Sequence, residues 1–451
     1  MADSELRCVS GATSGVLGID RIRELRYAAA VTPSRRELLQ LLGASTALFA
    51  VGCSDGGGGG ASEIAATAVL DPDNDSFVVA IWSRLAGSAA IVRVRTEDRL
   101  VAEMVCALDG EIGRVEVTGL DADTRYEVAI AISGVTLAHR VRTSPADDDP
   151  RPVRLAVSAD CDPNPEFASG LLDAVAAAEP ELMISLGDFP YTDNGPPAQT
   201  VAEYRARHAE LRSHPPVRAL LEACGLCGIY DDHEFRNDWD ARFVGAEPER
   251  YAAAMQVWDE FFPLRAPDGD IRYRSWRWGA HVECFLLDCR RFRSANNARD
   301  DERKTMLGAV QRQWLIDGVT RSTATFKLVL TSVALDHGAG TDHWVAFRTE
   351  RDAILETLVG VPGVLFVSAD QHWFASHRHA LGVREIQVGP LARGLGTPPV
   401  SSPPSVVFRA VRYNAGIIDV DGEQLTFSAL GDDGEVFYRE TLSATDLTPR
   451  A

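Results

Sequence analysis

The chain lacks an excess of positive charge. Its 45 lysines and arginines stand against 65 aspartates and glutamates, which gives a formal net charge of -20 over 451 residues. Proteins that bind nucleic acid or anionic lipid use clustered lysine and arginine to displace counterions. The composition therefore argues against both classes of partner, and it leaves many acidic residues as candidates for holding cations.

A long hydrophobic run is also lacking. The apolar run 41–51 is too short to span a bilayer, because a spanning helix needs about 20 apolar residues. Arg35 and Arg36 precede it, and this order is typical of a secretory signal, with adjacent arginines indicating twin-arginine export. A short buried helix is the alternative, but a run of five glycines follows closely.

The end of this run carries a second prediction. Residues 50–53 resemble a bacterial lipobox, in which Cys53 becomes the lipidated first residue of the mature chain. We predict that residues 1–60 are an export signal and glycine linker, and that the protein is periplasmic or otherwise extracytoplasmic. A lipidated Cys53 is the expected means of membrane attachment, and no protein partner is implied.

A second CxxC pair is missing as well. The lone pair Cys224 and Cys227 is therefore a weak signal for a zinc or redox site. The favoured interpretation is that both thiols are small buried hydrophobic groups beside a strand.

The chain length of 451 residues predicts two or three domains. Beyond the linker the hydrophobic pattern changes twice. Residues 61–145 show short alternating runs separated by turns, which predicts a small β-sandwich. Leu120 and Tyr126 in this segment resemble the corner of a fibronectin type III domain, so we expect a fibronectin type III-like domain. Residues 151–445 alternate strands with helices, which predicts an α/β module of stacked sheets with helices outside.

Nearly every predicted strand of the second module leads into groups that can bind metal or phosphate. Loops at the carboxyl ends of strands in α/β proteins gather catalytic and ligand-binding groups. The segments are Asp160 to Asp162, Gly187 to Tyr191, Tyr230 to Asp238, Asp288 to Arg290, Asp336 to His343, and Ala369 to His372. A capped strand end explains any one of them, but six on one predicted sheet edge indicate a functional site.

The residue types suit a centre with two metal ions. Carboxylates bind hard cations, and imidazole, thiolate or phenolate groups extend the set to transition metals. Gly187 lets the backbone turn sharply, so that the Asp188 carboxylate can lie between two ions. Two ions about 3.5 to 4 Å apart share a hydroxide that is available at neutral pH. These features predict hydrolysis of a phosphoester substrate.

The motifs also carry a family resemblance. In order they are Gly187-Asp188-x-x-Tyr191, Asp231-Asp232-His233-Glu234 with Asn237 and Asp238, Asp288-x-Arg290, Asp342-x-Trp344 with Arg351, and Asp370-x-His372. This set resembles the alkaline phosphatase D (PhoD-like) branch of the calcineurin-like metallophosphoesterases. The resemblance implies a four-layer α/β/β/α sandwich preceded by the fibronectin type III-like domain, with phosphomonoesterase or phosphodiesterase activity.

The resemblance further implies roles for single residues. Asp188 would bridge the metals, and Tyr191 would bind a ferric ion together with a thiolate from the first loop. Calcium would fill the neighbouring position or positions, so the centre is binuclear or trinuclear, and other divalent metals remain alternatives. The remaining implied ligands are Asp232, Asn237, Asp370 and His372.

The implied catalytic groups are an imidazole and two guanidiniums. A metal-bound hydroxide would attack phosphorus while His233 assists the leaving-group oxygen. Arg290 and Arg351 would grip the phosphate, because a guanidinium matches its oxygens in a fork. Arg393, in a glycine-rich loop, is a further candidate for phosphate contact.

The first motif departs from the family pattern. Ungapped alignment puts Asp160 where the family has its cysteine, and Cys161 follows one residue late. Either residue is therefore a candidate ligand, and an aspartate would make this site harder and iron less certain. The alternative function is a surface-anchored binding protein with a decayed phosphatase-like domain, although retention of the motifs together argues against decay.

Overall fold

The computed structural model describes residues 65–85, 89–97, 99–164, 167, 169–265 and 268–450. The predicted signal and linker, including Cys53, lie outside this part of the chain, so export and lipidation stay predictions. Across the described ranges, no helix is long and apolar enough to cross a membrane.

The described residues form seven strands, then a region in which strands and helices mostly alternate, and finally a run of strands. The strands are β1 (Ala65–Leu70), β2 (Ser76–Ser83), β3 (Ala89–Thr96), β4 (Arg99–Ala107), β5 (Ile112–Thr118), β6 (Arg125–Ile132), β7 (Val135–Arg142), β8 (Val153–Ser158), β9 (Leu182–Ser185), β10 (Gly225–Gly228), β11 (Arg274–Trp278), β12 (Val282–Leu286), β13 (Phe326–Leu330), β14 (Val364–Ser368), β15 (Phe374–Arg378), β16 (Arg384–Gln387), β17 (Val406–Ala410), β18 (Asn414–Asp421), β19 (Gln424–Gly431) and β20 (Val436–Ser443). The α-helices are α1 (Leu171–Ala177), α2 (Val201–Ser213), α3 (Pro215–Ala223), α4 (Ala241–Ala246), α5 (Pro248–Phe261), α6 (Gly308–Arg321) and α7 (Arg348–Thr357).

The first seven strands make a β-sandwich. Strands β1, β2 and β5 face a second sheet with the order β4-β3-β6-β7, and apolar side chains such as Phe77, Val92 and Val128 fill the space between them. The backbone N–H of Asp121 donates to the Tyr126 hydroxyl at 2.8 Å, while Leu120 and Tyr126 are buried in the same core. The hydroxyl thus braces the turn into β6, at the corner that the sequence indicated.

The second module has the four layers that the sequence predicted. One sheet contains β20-β19-β18-β8-β9-β10 and the other β11-β12-β13-β14-β16-β15-β17. Apolar residues such as Leu155, Ile184, Leu328 and Leu365 pack between the two sheets. Helices α1, α2, α3 and α5 cover the first sheet and α6 and α7 the second. The predicted α/β/β/α sandwich is therefore confirmed.

The sandwich and the catalytic module share a sheet. Strand β1 lies parallel to β10, with Leu70 opposite Leu226, so β1, β2 and β5 extend the first catalytic sheet. Every residue of β1 and β2 is buried, because the face turned away from the sandwich core packs against the helical layer. The predicted boundary near residue 145 falls between β7 and β8.

The six strand ends belong to two sheets, which corrects the expectation of one sheet edge. Strands β8, β9 and β10 are parallel neighbours in the first sheet, and β12, β13 and β14 are parallel neighbours in the second. Since the two sheets stack face to face, their carboxyl ends open onto a common space. Two rows of three loops thus meet there.

Candidate metal centre

Carboxylates and imidazoles from these loops meet in four overlapping groups. The groups are Asp160 with Asp188 and His372, Asp188 with Asp232 and His233, Asp231 with Asp232 and Asp370, and Asp232 with Asp238 and Asp342; the ligand atoms of each lie within 4.8 Å of one another. Asp188 belongs to two groups and Asp232 to three. A carboxylate shared in this way can contact two ions, and the bridging role of Asp188 stays a prediction.

Several carboxylate oxygens in this cluster have no hydrogen-bond partner although they are buried. Both oxygens of Asp160, Oδ2 of Asp188 and Oδ1 of Asp232 are in this state. An unpaired buried carboxylate oxygen is costly, and buried charges in proteins are paired or coordinate metals. The orphaned oxygens therefore fit a metal centre.

The pKa values of the buried carboxyl groups also fit a metal centre. Burial raises the pKa of Asp160, Asp188 and Asp370 well above the usual range, and neighbouring carboxylates raise each of them further. So many acidic groups cannot all ionise side by side in a buried site without compensating charge. Cations would supply that charge.

The ligand-bearing loops are held in unusual backbone conformations. Positive φ values of 60°, 55°, 76° and 59° occur at Asp160, Asp188, Asp370 and His372. They fall in the left-handed region, which residues other than glycine rarely adopt. Such strain is concentrated at functional sites, where the surrounding structure enforces it. Gly187 has φ 120°, and a Cβ there would lie 2.5 Å from Cβ of Asp231, so the two loops meet where only glycine fits.

Tyr191, His372 and Asp160 converge at one end of the cluster. His372 Nε2 lies 2.8 Å from the Tyr191 hydroxyl and 3.6 Å from Oδ1 of Asp160. Its Nδ1 contacts the backbone oxygen of Gly394 at 2.6 Å, so Nδ1 carries the proton and Nε2 keeps the lone pair with which an imidazole binds a metal. Burial lowers the pKa of His372 to about 4, which keeps the ring neutral, as a metal ligand requires.

The structure brings Asp160 into the cluster and leaves Cys161 out of it. The Cys161 side chain is fully buried in the helix-side core, where it packs with residues such as Leu171 and Leu391. Its backbone N–H donates to the backbone oxygen of Asp188 at 2.9 Å. Burial raises the pKa of the thiol well above its usual value. Cys161 therefore holds the loop in place, and Asp160 presents the ligand atoms.

His233 lies against the shared aspartate and is oriented by a neighbouring carboxylate. Its backbone N–H donates to Oδ1 of Asp188 at 3.1 Å, and Nδ1 contacts Oδ1 of Asp193 at 2.6 Å. Burial lowers the pKa of His233, but the carboxylates of Asp232 and Asp193 outweigh it and raise the value to about 9. Asp193 was missed from the sequence, although it stands two residues after Tyr191 in the same loop.

Comparison with known proteins decides the family. Residues 161–436 match the profile of the family described as PhoD-like phosphatase, which is more than half of the chain. The chain belongs to the PhoD-like phosphatase family. A curated relative, alkaline phosphatase D of Bacillus subtilis (strain 168), is 26% identical over 322 residues, which cover 59% of this chain and 54% of the relative. The chain thus spans about half the length of that relative.

Solved structures agree on the fold. The PhoD-like chain superposes on a structure of PhoD with a TM-score of 0.74 at 18% identity, over 85% of this chain and 91% of the other. A purple acid phosphatase from seeds of yellow lupin (Lupinus luteus) gives a TM-score of 0.64 at 12% identity, over 86% and 77%. These likenesses confirm the predicted fold, while the family assignment depends on the profile match.

Arg290 of the PhoD-like protein is not placed to grip a phosphate. It is fully buried, and its Nε and Nη2 each donate to a carboxylate oxygen of Asp231 at 2.7 Å. Nη2 also lies 2.6 Å from Oδ2 of Asp342. The sequence could not show this pairing, because Asp231 and Arg290 lie in loops that follow strands of different sheets and meet only after folding. Arg290 neutralises the carboxylates behind the metal ligands.

Arg351 and Asn237 are also not brought among the ligands. Arg351 donates from Nη1 to the backbone oxygen of Leu335 at 2.7 Å and from Nε to Asp352 at 2.8 Å, neither of which belongs to the four groups. Asn237 is exposed, and its backbone N–H donates to Oδ2 of Asp193 at 2.8 Å. In this conformation Asn237 supports Asp193 rather than presenting its amide to a metal.

Arg393 is the guanidinium that lies beside the ligands. Its guanidinium carbon is 4.5 Å from the centroid of the Tyr191 ring and 4.6 Å from that of Phe167. Nη2 donates to Asn194 at 2.9 Å, and Nη1 is 3.5 Å from Asp162. Together these residues line an open cavity of about 500 Å³ next to the candidate metal ligands. In the sequence, the one signal for Arg393 was its position in a glycine-rich loop.

Proposed function

We propose that this PhoD-like protein is a metal-dependent phosphoester hydrolase of the alkaline phosphatase D type. One observation carries the proposal: in the overlapping groups that have Asp188 and Asp232 in common, four buried carboxylate oxygens have no hydrogen-bond partner. In a chain of this family, such a cluster is best explained as the place where metal ions and phosphate oxygens meet.

The donor set assigns two neighbouring positions. Asp160, Asp188, Tyr191 and His372 would hold one ion, and Asp188 and Asp232 with Asp370 the other. Three of the first four donors are oxygens and one is imidazole, which suits Fe³⁺, whereas the all-carboxylate position suits Ca²⁺. When bound, such ions lower the pKa of a water molecule and neutralise charge on phosphate oxygens.

The side chains of the protein would divide the remaining work. Asp193 holds Nδ1 of His233, so Nε2 is the nitrogen left to donate a proton to the departing alkoxide. Arg393 would orient the phosphate from the cavity side, since its guanidinium already lies over Tyr191. Phe167 and Pro190 give the cavity apolar walls, which suits the organic part of a monoester or diester.

Hydrolysis assays test this proposal. The purified protein, loaded with Fe³⁺ and Ca²⁺, is expected to hydrolyse p-nitrophenyl phosphate or bis(p-nitrophenyl) phosphate. Asp188→Asn should lower kcat at least a hundredfold and reduce the metal content, while the exposed Asp109→Asn should do neither. Full activity in Asp188→Asn, or no turnover by the metal-loaded protein, would contradict the proposal.

The proposed metal identity has its own readout. A phenolate from Tyr191 on Fe³⁺ gives a visible charge-transfer absorption, which Tyr191→Phe should abolish. A colourless but active enzyme would refute iron and leave the hydrolase proposal intact.

The rival function, a surface-anchored binding protein with a decayed site, predicts a colourless protein without turnover.

We further propose export by the twin-arginine route with attachment through Cys53, on the strength of the sequence pattern alone. Replacing Arg35 and Arg36 by lysine should retain the protein in the cytoplasm, and fractionation of the cells measures this.

A further inference from the structure

A second group of potential metal ligands lies outside the candidate metal centre. Possible ligand atoms of His377, His379 and Glu385 all lie within 4.8 Å of one another. The group shares no residue with the four groups of the centre.

The fold places these three side chains together by strand pairing. His377 on β15 stands directly opposite Glu385 on the antiparallel strand β16. His379 follows two residues later, and its ring is parallel to that of His377, with an interplanar angle of 4° and a centroid separation of 5.3 Å. Nε2 of His379 lies 2.7 Å from Oε2 of Glu385.

His377 is the unusual member of this group. It is completely buried, and neither of its ring nitrogens has a hydrogen-bond partner. The amide of Gln387 is adjacent, and in the orientation that satisfies its own hydrogen bonds its nitrogen donates to the backbone oxygen of His337 at 3.2 Å and its oxygen accepts from the indole of Trp373 at 3.1 Å. Nearly all buried polar groups are satisfied in folded proteins. A ligand that accepts an imidazole lone pair accounts for this exception.

A second buried imidazole borders the same space. Nε2 of His337 is buried without a partner, and its ring centroid lies 6.2 Å from that of His377. Near Glu385, the imidazoles of His377 and His337 therefore both have ring nitrogens without a hydrogen-bond partner.

The carboxylate is also without a compensating guanidinium. Glu385 is fully buried, and its Oε1 accepts from the backbone N–H of Leu335 and the hydroxyl of Ser368. The adjacent Arg384 is bound in both Nη groups to Glu440. Oε2 is left to the histidines, and a buried charge of this kind is paired or coordinates a metal.

We propose that His377, His379 and Glu385 bind a further metal ion, separate from the candidate metal centre and of the class that prefers imidazole, Zn²⁺, with His337 as a candidate for the fourth ligand. Two histidines and a glutamate form a known zinc donor set. Ligand atoms about 2.1 Å from one ion lie at most about 4.2 Å apart, so shifts of less than about 1 Å complete the site. An ion here would tie β15 to β16.

Zinc binding to the full-length protein tests this inference independently of hydrolysis. After removal of metals, equilibrium dialysis against Zn²⁺ alone measures the number of ions bound per chain. His379→Gln and His377→Gln should each bind one ion fewer than the wild type, whereas His281→Gln, which removes a histidine bonded to Thr325, should bind the wild-type number. Asp188→Asn should keep this ion, which separates it from the candidate metal centre.

Unchanged zinc stoichiometry in both folded histidine variants would overturn the proposal. If the buried His377→Gln does not fold, the half-buried His379→Gln and crystals of the wild type soaked in zinc chloride decide the question. An anomalous peak at the zinc edge between His377, His379 and Glu385 supports the site. Its absence at saturating zinc means that the His379–Glu385 contact is only a structural hydrogen bond.

Discussion

At the scale of single residues, Arg290 shows how the protein holds so much negative charge in one place. Its guanidinium has no exposed surface and contacts both Asp231 and Asp342. The carboxylates on either side raise its pKa further above the usual value, against the effect of burial. Breaking such a buried pair leaves an uncompensated charge, which costs far more than losing a surface pair.

We therefore expect Arg290→Met to act on stability. Its free energy of unfolding should fall by about 3 to 5 kcal/mol, the usual cost of removing one partner of a buried ion pair. Arg291→Met is the matched control, because its partner Asp270 is exposed and surface pairs contribute about 1 kcal/mol or less. Urea unfolding measures both. An Arg290 variant with wild-type stability and a raised KM would restore the phosphate role predicted from the sequence.

Arg393 is expected to be the guanidinium that affects substrate binding. Arg393→Gln should raise KM for a phosphomonoester about tenfold to a hundredfold, because a hydrogen bond to a charged group is worth about 1.5 to 3 kcal/mol. Arg351→Gln is the control and should leave KM within about twofold, since Arg351 is engaged by Leu335 and Asp352. Steady-state kinetics check both, and the reverse pattern would exchange the two roles.

At the scale of elements, the loops after β9 and β10 depend on each other. Gly187 places its backbone so close to Asp231 that a methyl group would lie 2.5 Å from Cβ and 2.7 Å from the backbone nitrogen. Backbone atoms cannot move aside as the end of a flexible side chain can. A change at Gly187 must therefore shift the loop that carries Asp232 and His233.

Gly187→Ala should thus lower metal content and kcat together, by at least tenfold in kcat. Gly195→Ala separates clash from strain, because Gly195 also has positive φ, 72°, but nothing lies within 4 Å of an added Cβ. Elemental analysis and kinetics on both variants measure the effect. Equal losses in the two would show that φ alone, and not the contact between loops, decides the geometry.

The sequence predicted these elements where their pattern was local. Strands β8 and β9 are short and mainly apolar, and the carboxylates of Asp160 and Asp188 in the loops that follow them could be placed at strand ends. Strand β4 (Arg99–Ala107) was missed, because apolar residues lie on both of its faces and only Cys106 is fully buried, so its pattern shows no clear alternation. The partner of Arg290 and the inward turn of Asp160 relative to Cys161 depend on packing between distant segments, and no pattern in a single segment contains that information.

At the scale of the whole molecule, the sandwich is built into the catalytic module rather than tethered to it. Asp71 sits at this junction: its backbone N–H donates to Leu226 of β10, and its carboxylate accepts from the backbone N–H of Arg265 and from Nε of Arg274. Both arginines belong to the catalytic module. One side chain from the end of β1 thus fastens the two modules.

The charge of Asp71 should make the stability of the protein sensitive to acid. Burial works against this charge, but Arg274 and Arg265 outweigh it and lower the pKa of Asp71 below its usual 3.8. A carboxyl group whose pKa is lower in the folded state contributes stability above its unfolded pKa, and this contribution is lost as pH falls through the folded pKa. At neutral pH the full contribution is present.

Asp71→Asn should therefore reduce the free energy of unfolding by about 1 to 3 kcal/mol at neutral pH, and the difference from wild type should shrink below about pH 4. Asparagine tolerates the positive φ of 50° at this position, so the variant tests charge and not backbone strain. Asp73→Asn is the control, since Asp73 pairs with the same Arg265 while its side chain is 30% exposed, and it should lose little at any pH. Urea unfolding across this pH range measures both variants. If Asp71→Asn unfolds like the wild type at neutral pH, strand pairing between β1 and β10 and apolar packing join the modules without help from this ion pair.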